Sequence, residues 1–319
     1  MLGADMTADL RFGAGVGADD VPNHARTLER LGFDYGSFGE HFMRGNPPAP
    51  TNLALPLMAA AAGATDKLRV VSSILLAPLY HPVLLAKLAT SVDIVSKGRL
   101  TLGIGIGGEF PVEFQAMGLS TKDRGSRSDE VLNLLKKLWT EEHITHKGKF
   151  FQIEDVTLKP TPLQHPHPPI WVAGRREGAM RRTAKYGDGW LPYFYSPEQY
   201  KNSFIRINEL AENNGRDLSG FEWAHFSFIS INKNKREAAK VAASRLGSRY
   251  SSRADMESLV GSYCILGNAE DCIDRMSEYF SAGVRTFLFS WMCDPADVPR
   301  HLDIVSQEII PRFRQKFGK

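Results

Sequence analysis

Residues 68–109 read LRVVSSILLAPLYHPVLLAKLATSVDIVSKGRLTLGIGIGGE, a complete strand–helix–strand unit. Residues 69–77 are an apolar run with β-branched Val70, Val71 and Ile74, the composition of a strand buried on both faces. His81-Pro82 opens the next segment, and proline suits a first helical position because its missing N–H has no helical partner there. Val83, Leu84, Leu88, Val92 and Val95 then recur close to helical spacing. Lys97-Gly98 closes the helix with a cation in the last turn and a glycine that accepts a left-handed conformation. Residues 100–106 are a second buried strand. Two such strands joined by a helix are expected to run parallel with a right-handed crossover. Both end in chemistry that an apolar strand does not need. Ser72-Ser73 lies inside the first, and the second runs into Gly103-Ile-Gly105-Ile-Gly107-Gly108-Glu109, where missing side chains let backbone approach a ligand. Ligands in parallel α/β folds bind at the carboxyl ends of strands, so the ligand floor is expected here.

The same alternation extends outward. Strands are predicted over 10–16, 33–38, 69–77, 100–106, 170–173, 189–191, 222–231 and 285–291. Helices are predicted up to Leu31 from a cap at Asp19 or Asp20, and over 53–62, 82–98, 126–138, 178–186, 197–213, 235–246, 268–282 and 298–313. Eight strands, each followed by a helix, predict an α/β fold of the (β/α)8 TIM barrel type, one domain over 1–319, in preference to a doubly wound open sheet. The pattern breaks over 141–169. Residues 144–153 read as a small hairpin turning at Lys147-Gly148, and the rest is rich in Pro and His; the segment is expected as an insertion at the barrel mouth. Residues 247–262 are expected to be mobile.

At 319 residues the chain is long for one compact domain but suits such a barrel. A net charge of +3 is too small to argue for nucleic acid or membrane as a partner. Cys264, Cys272 and Cys293 form no CxxC pair, which argues against a disulfide framework or a structural zinc site and fits a reducing cytoplasm. The start, MLGADMTADLRFG, has no basic n-region and no apolar h-region, so no signal peptide is read.

Several residues carry candidate chemistry. Glu40-His41 ends a predicted strand and offers an acid–base and orienting pair; neighbours on a strand point to opposite faces, so only one should look into a pocket. Gly103-x-Gly105-x-x-Gly108 matches the dinucleotide fingerprint formally, but Glu109-Phe110-Pro111 follows where a helix should begin, and three strands precede it. Ala173-Gly174-Arg175-Arg176 ends a strand and opens a helix, a setting that favours a phosphate; Arg181 and Arg182 read instead as a solvated basic face. Asp188-Gly189-Trp190 either continues the phosphate-side wall or, for Trp190, joins the core. Phe12, Tyr80, Tyr193, Phe194, Phe226, Phe228, Trp291 and Met292 line either a roomy apolar mouth or the core. His165-Pro-His167 lacks a third ligand at useful spacing, so no metal is expected.

Taken in order and spacing, Gly39-Glu40-His41-Phe42, 72–82, 98–109, 124–139 (RGSRSDEVLNLLKKLW), Ala173-Gly174-Arg175 and Gly187-Asp188-Gly189-Trp190 resemble the bacterial luciferase-like monooxygenase family. The resemblance implies a TIM-type barrel binding reduced FMN, supplied by a separate flavin reductase, or the deazaflavin coenzyme F420, at the strand ends. It implies that His41 faces the ring and substrate, and that Glu109 stands near the reacting face in the deazaflavin branch. It further implies a non-prolyl cis peptide at Ser73–Ile74, Gly105, Gly107 and Gly108 as a backbone floor for the ring, and Gly174, Arg175 and Arg176 at the phosphate. Relatives commonly form homodimers. The activity implied is a flavin monooxygenase acting on a small apolar substrate; hydride transfer with F420, or a flavin-binding protein without turnover, are the alternatives.

Overall fold

In the computed structural model the described residues are 9–45, 47–250 and 256–318. The elements run β1 (Arg11–Gly15), α1 (Val21–Arg30), β2 (Tyr35–Phe38), α2 (Ala54–Gly63), β3 (Arg69–Ser72), β4 (Leu75–Leu76), α3 (Pro82–Val95), β5 (Leu100–Gly105), α4 (Pro111–Ala116), α5 (Arg124–Thr140), β6 (Ile144–Lys147) and β7 (Gln152–Val156). They continue β8 (Ile170–Val172), α6 (Glu177–Tyr186), β9 (Gly189–Trp190), α7 (Pro197–Asn213), β10 (Glu222–Ile231), α8 (Lys235–Tyr250), α9 (Met256–Tyr263), β11 (Ile265–Gly267), α10 (Ala269–Ser281), β12 (Thr286–Trp291), α11 (Val298–Ile304) and α12 (Ile310–Phe317).

The strands close a ring. β1 pairs in parallel with β2 and β12, β2 with β3, and β3 and β4 together with β5; β5 then pairs with β8, β8 with β9, β9 with β10, and β10 with β12. The open-sheet alternative is thereby excluded, and the eight barrel positions are those read from the sequence, β3 and β4 sharing one. β11 stands outside the ring, parallel to the end of β10. Among the described residues no helix is long and apolar enough to cross a membrane.

Period-two alternation divides the core into an inner plug and an outer layer. Tyr35, Val71, Trp171, Leu191, Ala224 and Leu288 fill the ring, with Ile74 and Phe226 packed against them. Position 13 on β1 faces this plug, and a Cβ there would come within 2.6 Å of both Leu288 and Tyr35, which is why glycine stands there. At the amino-terminal end of the strands, Arg11 reaches the Tyr35 hydroxyl and Glu222, and Thr286 donates to Glu222, so the ring's lower end closes on polar groups. The outward residues Phe12, Phe287 and Phe289 pack with Phe313 of α12.

The central unit folds as its sequence demands. Pro82 occupies the first turn of α3, with the His81 side chain capping Val83 N–H; Gly98 takes φ +78° at its exit. The 141–169 segment does form an antiparallel hairpin, β6–β7. It is rooted, however, at the end of the ring opposite the mouth. The backbone N–H groups of Leu163 and Gln164 donate to Asp93 near the end of α3. The hairpin turn climbs back along α5, where Glu130 accepts from Phe150 N–H, Phe151 N–H and His146, and Lys149 pairs with Asp123. Within 247–262, residues 247–250 complete α8 and 256–262 lie in α9; residues 251–255, like residues 1–8 at the start of the chain, lie outside those described.

Trp171 is 2% exposed and stands edge-on to Tyr35, centroids 5.2 Å apart, in the middle of the plug. Trp171→Ala is expected to cost about 3–5 kcal/mol of stability, read as a lower denaturant midpoint at unchanged slope. A loss under about 1 kcal/mol would contradict the plug.

Candidate active site at the barrel mouth

The floor of the mouth is made where the third barrel position breaks. The Ser73–Ile74 peptide is cis, between β3 and β4, as the resemblance implied. Ser72 Oγ donates to the Gly103 carbonyl at 2.9 Å, and Ile74 lies across Gly105, whose missing Cβ is the space its side chain occupies. Gly103 and Gly105 are thus required first by internal packing. Gly107 and Gly108 answer to a different demand. They take φ +59° and +97°, and a Cβ on Gly108 would come within 2.8 Å of Arg124 Nε. Ser73, Ile74, Gly107 and Gly108 are partly open at this surface.

Glu40 and His41 follow β2, and alternation separates them. Glu40 turns into the wall. Its carboxylate accepts from Leu76 N–H and Ala54 N–H, both at 3.1 Å, and from the Tyr80 hydroxyl at 2.9 Å. Leu53 supplies no side-chain cap to α2, and Glu40 satisfies that helix end from a distance. The expectation of an acid–base pair of Glu40 with His41 is therefore corrected, because Glu40 spends its lone pairs on backbone. Burial raises its carboxyl above the usual glutamate range, against the three donors that favour the charged form.

His41 meets a different carboxylate. Its Nδ1 lies 3.0 Å from Oε1 of Glu113, the oxygen that also accepts Phe42 N–H at 2.8 Å and Met43 N–H at 3.3 Å. The Phe110 ring stands edge-on to the imidazole, centroids 5.0 Å apart. Glu113 is fully buried and its Oε2 has no partner, whereas the His41 side chain stays about one-quarter exposed. Glu109, at the exposed rim, is held above the ordinary carboxylate range by partial desolvation, with His41, Arg44 and Arg175 pulling it down. The Tyr193 hydroxyl is raised by burial and then by the Glu109 charge. His41, Glu109, Arg44, Arg175 and Tyr193 thus share one electrostatic neighbourhood.

Gly174, at φ +121°, and Arg175 turn the chain from β8 towards α6, with Arg176 at the helix cap. Trp190 Nε1 donates to the Gly174 carbonyl and the Tyr195 hydroxyl to the Arg175 carbonyl, which fixes the loop. The exposed Arg175 guanidinium donates to the Phe194 carbonyl at 3.0 Å and covers the Tyr193 ring at 5.1 Å. Arg181 pairs with Glu177 at the surface, but Arg182 is 6% exposed, bonded to Asp129 and the Gly125 carbonyl, so it does not belong to a solvated face. Asp188 accepts Ile170 N–H where β8 begins and pairs with Lys136, at the end of the ring away from Gly174; it does not continue a phosphate-side wall. Trp190 is core.

The aromatic residues divide. Tyr193, Phe194, Phe226, Phe228 and Met292 form one apolar cluster with α8 and α9. Phe12 is core, Tyr80 serves Glu40, and Trp291 stacks outward on Phe289. Glu113 was not singled out in the sequence, although Pro111 gives the signal. It opens α4 in the way Pro82 opens α3 and brings Glu113 into the first turn.

The family model for luciferase-like monooxygenases matches residues 6–286. The oxygenase component of flavin-dependent trigonelline monooxygenase from Acinetobacter baylyi is 37% identical over 330 aligned positions, covering 93% of this chain and 90% of that protein. An FMNH(2)-dependent dimethylsulfone monooxygenase from Pseudomonas putida is 30% identical over 241 residues, 74% of this chain but 63% of that protein, so the match spans less than two-thirds of that relative. Among solved structures, an F420-dependent secondary alcohol dehydrogenase superposes with a TM-score of 0.81 at 21% identity, covering 96% of this chain and all of that one.

The raised Glu40 value fixes the sign of a pH effect. The folded chain holds this proton more tightly than the unfolded chain, so Glu40's contribution is full in acid and is lost as pH climbs through the raised value. Glu40→Gln does not titrate, and its deficit in melting temperature against the native protein is expected to shrink from about pH 5 to about pH 8. A deficit that grows over that range would contradict the assignment.

Proposed function

The chain belongs to the luciferase-like monooxygenase family of oxidoreductases, and we propose that it is an oxygenase that takes reduced FMN from a separate flavin reductase and oxygenates a small, largely apolar organic substrate. The observation that carries this reading is the gathering, at one end of the strand ring, of the 105–108 glycine stretch, the His41 imidazole and the Arg175 guanidinium. The donor set fits the cofactor. Ser73, Ile74, Gly107 and Gly108 offer partly open surface to a planar ring, and Gly105 lies beneath Ile74 and lets it sit there. Gly174, Arg175 and Arg176 offer a helix amino-terminus and guanidinium groups to its phosphate.

Bound reduced flavin would supply the electron pair for activating O2, one oxygen atom entering the substrate and the other leaving as water. This chain's residues supply the rest. His41 orients the substrate or takes a proton from it. The cluster of Tyr193, Phe194, Phe226, Phe228 and Met292 keeps water from the apolar side of the mouth. Glu109 supports a second reading, hydride transfer with coenzyme F420, because a carboxyl that partial desolvation raises above its usual range, beside His41 and the mouth, suits an acid that delivers a proton.

The same proposal includes a homodimer. Leu84, Leu88 and Val95 lie on one face of α3 and are 54%, 38% and 48% exposed, an apolar stripe that a second copy would cover.

Anaerobic titration with reduced FMN and with reduced F420, followed by admission of air, tests the reading. Binding of reduced FMN and its substrate-dependent reoxidation are expected; tight F420 binding with no FMN binding would contradict it. Arg175→Ala is expected to weaken FMN affinity tenfold or more, the scale of a charge-assisted hydrogen bond of about 1.5–3 kcal/mol. Unchanged affinity would remove Arg175 from the phosphate site.

A further inference from the structure

We propose that Glu113 is the positioning residue of His41, and that it fixes the imidazole as the Nδ1–H tautomer with a bare Nε2 available to the mouth. The argument starts from what one oxygen can do. Oε1 of Glu113 receives the backbone N–H groups of Phe42 and Met43, which can only donate. An oxygen already taking two N–H bonds is an acceptor, so the ring nitrogen 3.0 Å from it carries the proton. Neutral imidazole has one N–H, and Nε2 is left with its lone pair. His41 therefore acts towards the mouth as a hydrogen-bond acceptor or base and not as a donor.

Three features make this more than a chance contact. The same oxygen binds the ring of residue 41 and the backbone of residues 42 and 43, so it sets the loop and the ring plane together. Phe110 stands against the imidazole edge-on and resists its rotation. Glu113 has no solvent exposure and His41 only a quarter, so water competes weakly for the bond. The Glu109 carboxyl stands in the same neighbourhood without taking over this bond, since among the described residues the hydrogen bond made by the His41 ring is the one it donates to Glu113.

The inference rests on the reading of the mouth as the reaction site only for its consequence; the tautomer itself is a property of the ligand-free chain. The test is two-dimensional 1H–15N NMR of the imidazoles in full-length protein without cofactor, at a pH where the ring is neutral, with His41 assigned by its loss in His41→Gln. The expected result is an Nδ1 resonance typical of N–H and an Nε2 resonance in the downfield position of an unprotonated ring nitrogen. Glu113→Gln keeps an acceptor at Oε1 and is expected to keep this pattern. Glu113→Ala removes it and is expected to move His41 towards the Nε2–H form that free histidine prefers. An Nε2–H tautomer in the native protein, or an unchanged Nδ1–H tautomer in folded Glu113→Ala, overturns the proposal. Should Glu113→Ala fail to fold, the native and Glu113→Gln spectra decide. Cofactor titration reads the site and the ring spectrum reads the positioning residue, so each can fail without the other.

Discussion

Ile74 can lie across β5 because position 105 carries no side chain, and the mouth is built on that close approach. The contact holds two neighbouring barrel positions together above the last ladder pairing of β3, while β4 pairs on with Ile104 and Gly105. A side chain at 105 would push Ile74 back into the barrel, towards the plug made by Trp171 and Leu191. With the contact made, the chain leaves β5 as Gly107 and Gly108 in left-handed conformations and is aimed at the rim, where Glu109 and then α4 follow.

Two buried carboxylates then divide the labour of holding the loop after β2. Glu40 binds the first turn of α2, the backbone after the cis bond and the Tyr80 hydroxyl, so three elements meet on one side chain. Glu113 binds the next three residues of that loop. Each buried carboxyl accepts from three donors, which offsets part of the cost of taking it out of water. Between them the loop is held firmly enough to present an imidazole at a set position, and a group used for proton handling gains from being held in advance.

The architecture was legible because its signals are local. Parallel strands buried on both faces leave continuous apolar runs, and all eight barrel positions follow from them. Caps fared as well. Pro82, Pro197 and Asn268 mark their helix starts because cap chemistry acts within one turn. What the sequence hid depends on distance. Arg182 is a charged residue in a polar run, and only its meeting with Asp129, 53 positions away, makes burial tolerable. Glu40 and His41 are adjacent, and which faces the mouth is decided by a helix and a strand elsewhere in the chain. The 141–169 segment reads as a hairpin, yet its rooting at the ring's far end depends on Asp93, and the return of its turn along α5 depends on Glu130 and Asp123. Glu113 is hidden because Pro111, awkward in a dinucleotide fold, opens a short extra helix that the strand–helix alternation does not call for.

The central claim is that the glycine stretch, the imidazole and the Gly174 turn form one cofactor surface. Backbone amide shift mapping by NMR, on anaerobic addition of reduced FMN, tests it in one experiment. Perturbations concentrated at His41, Ile74, Gly105 to Gly108 and Gly174 to Arg176 are the result the account predicts. Perturbations confined to a different face, such as the cleft lined by Lys233, Asn268 and Arg300, would contradict it.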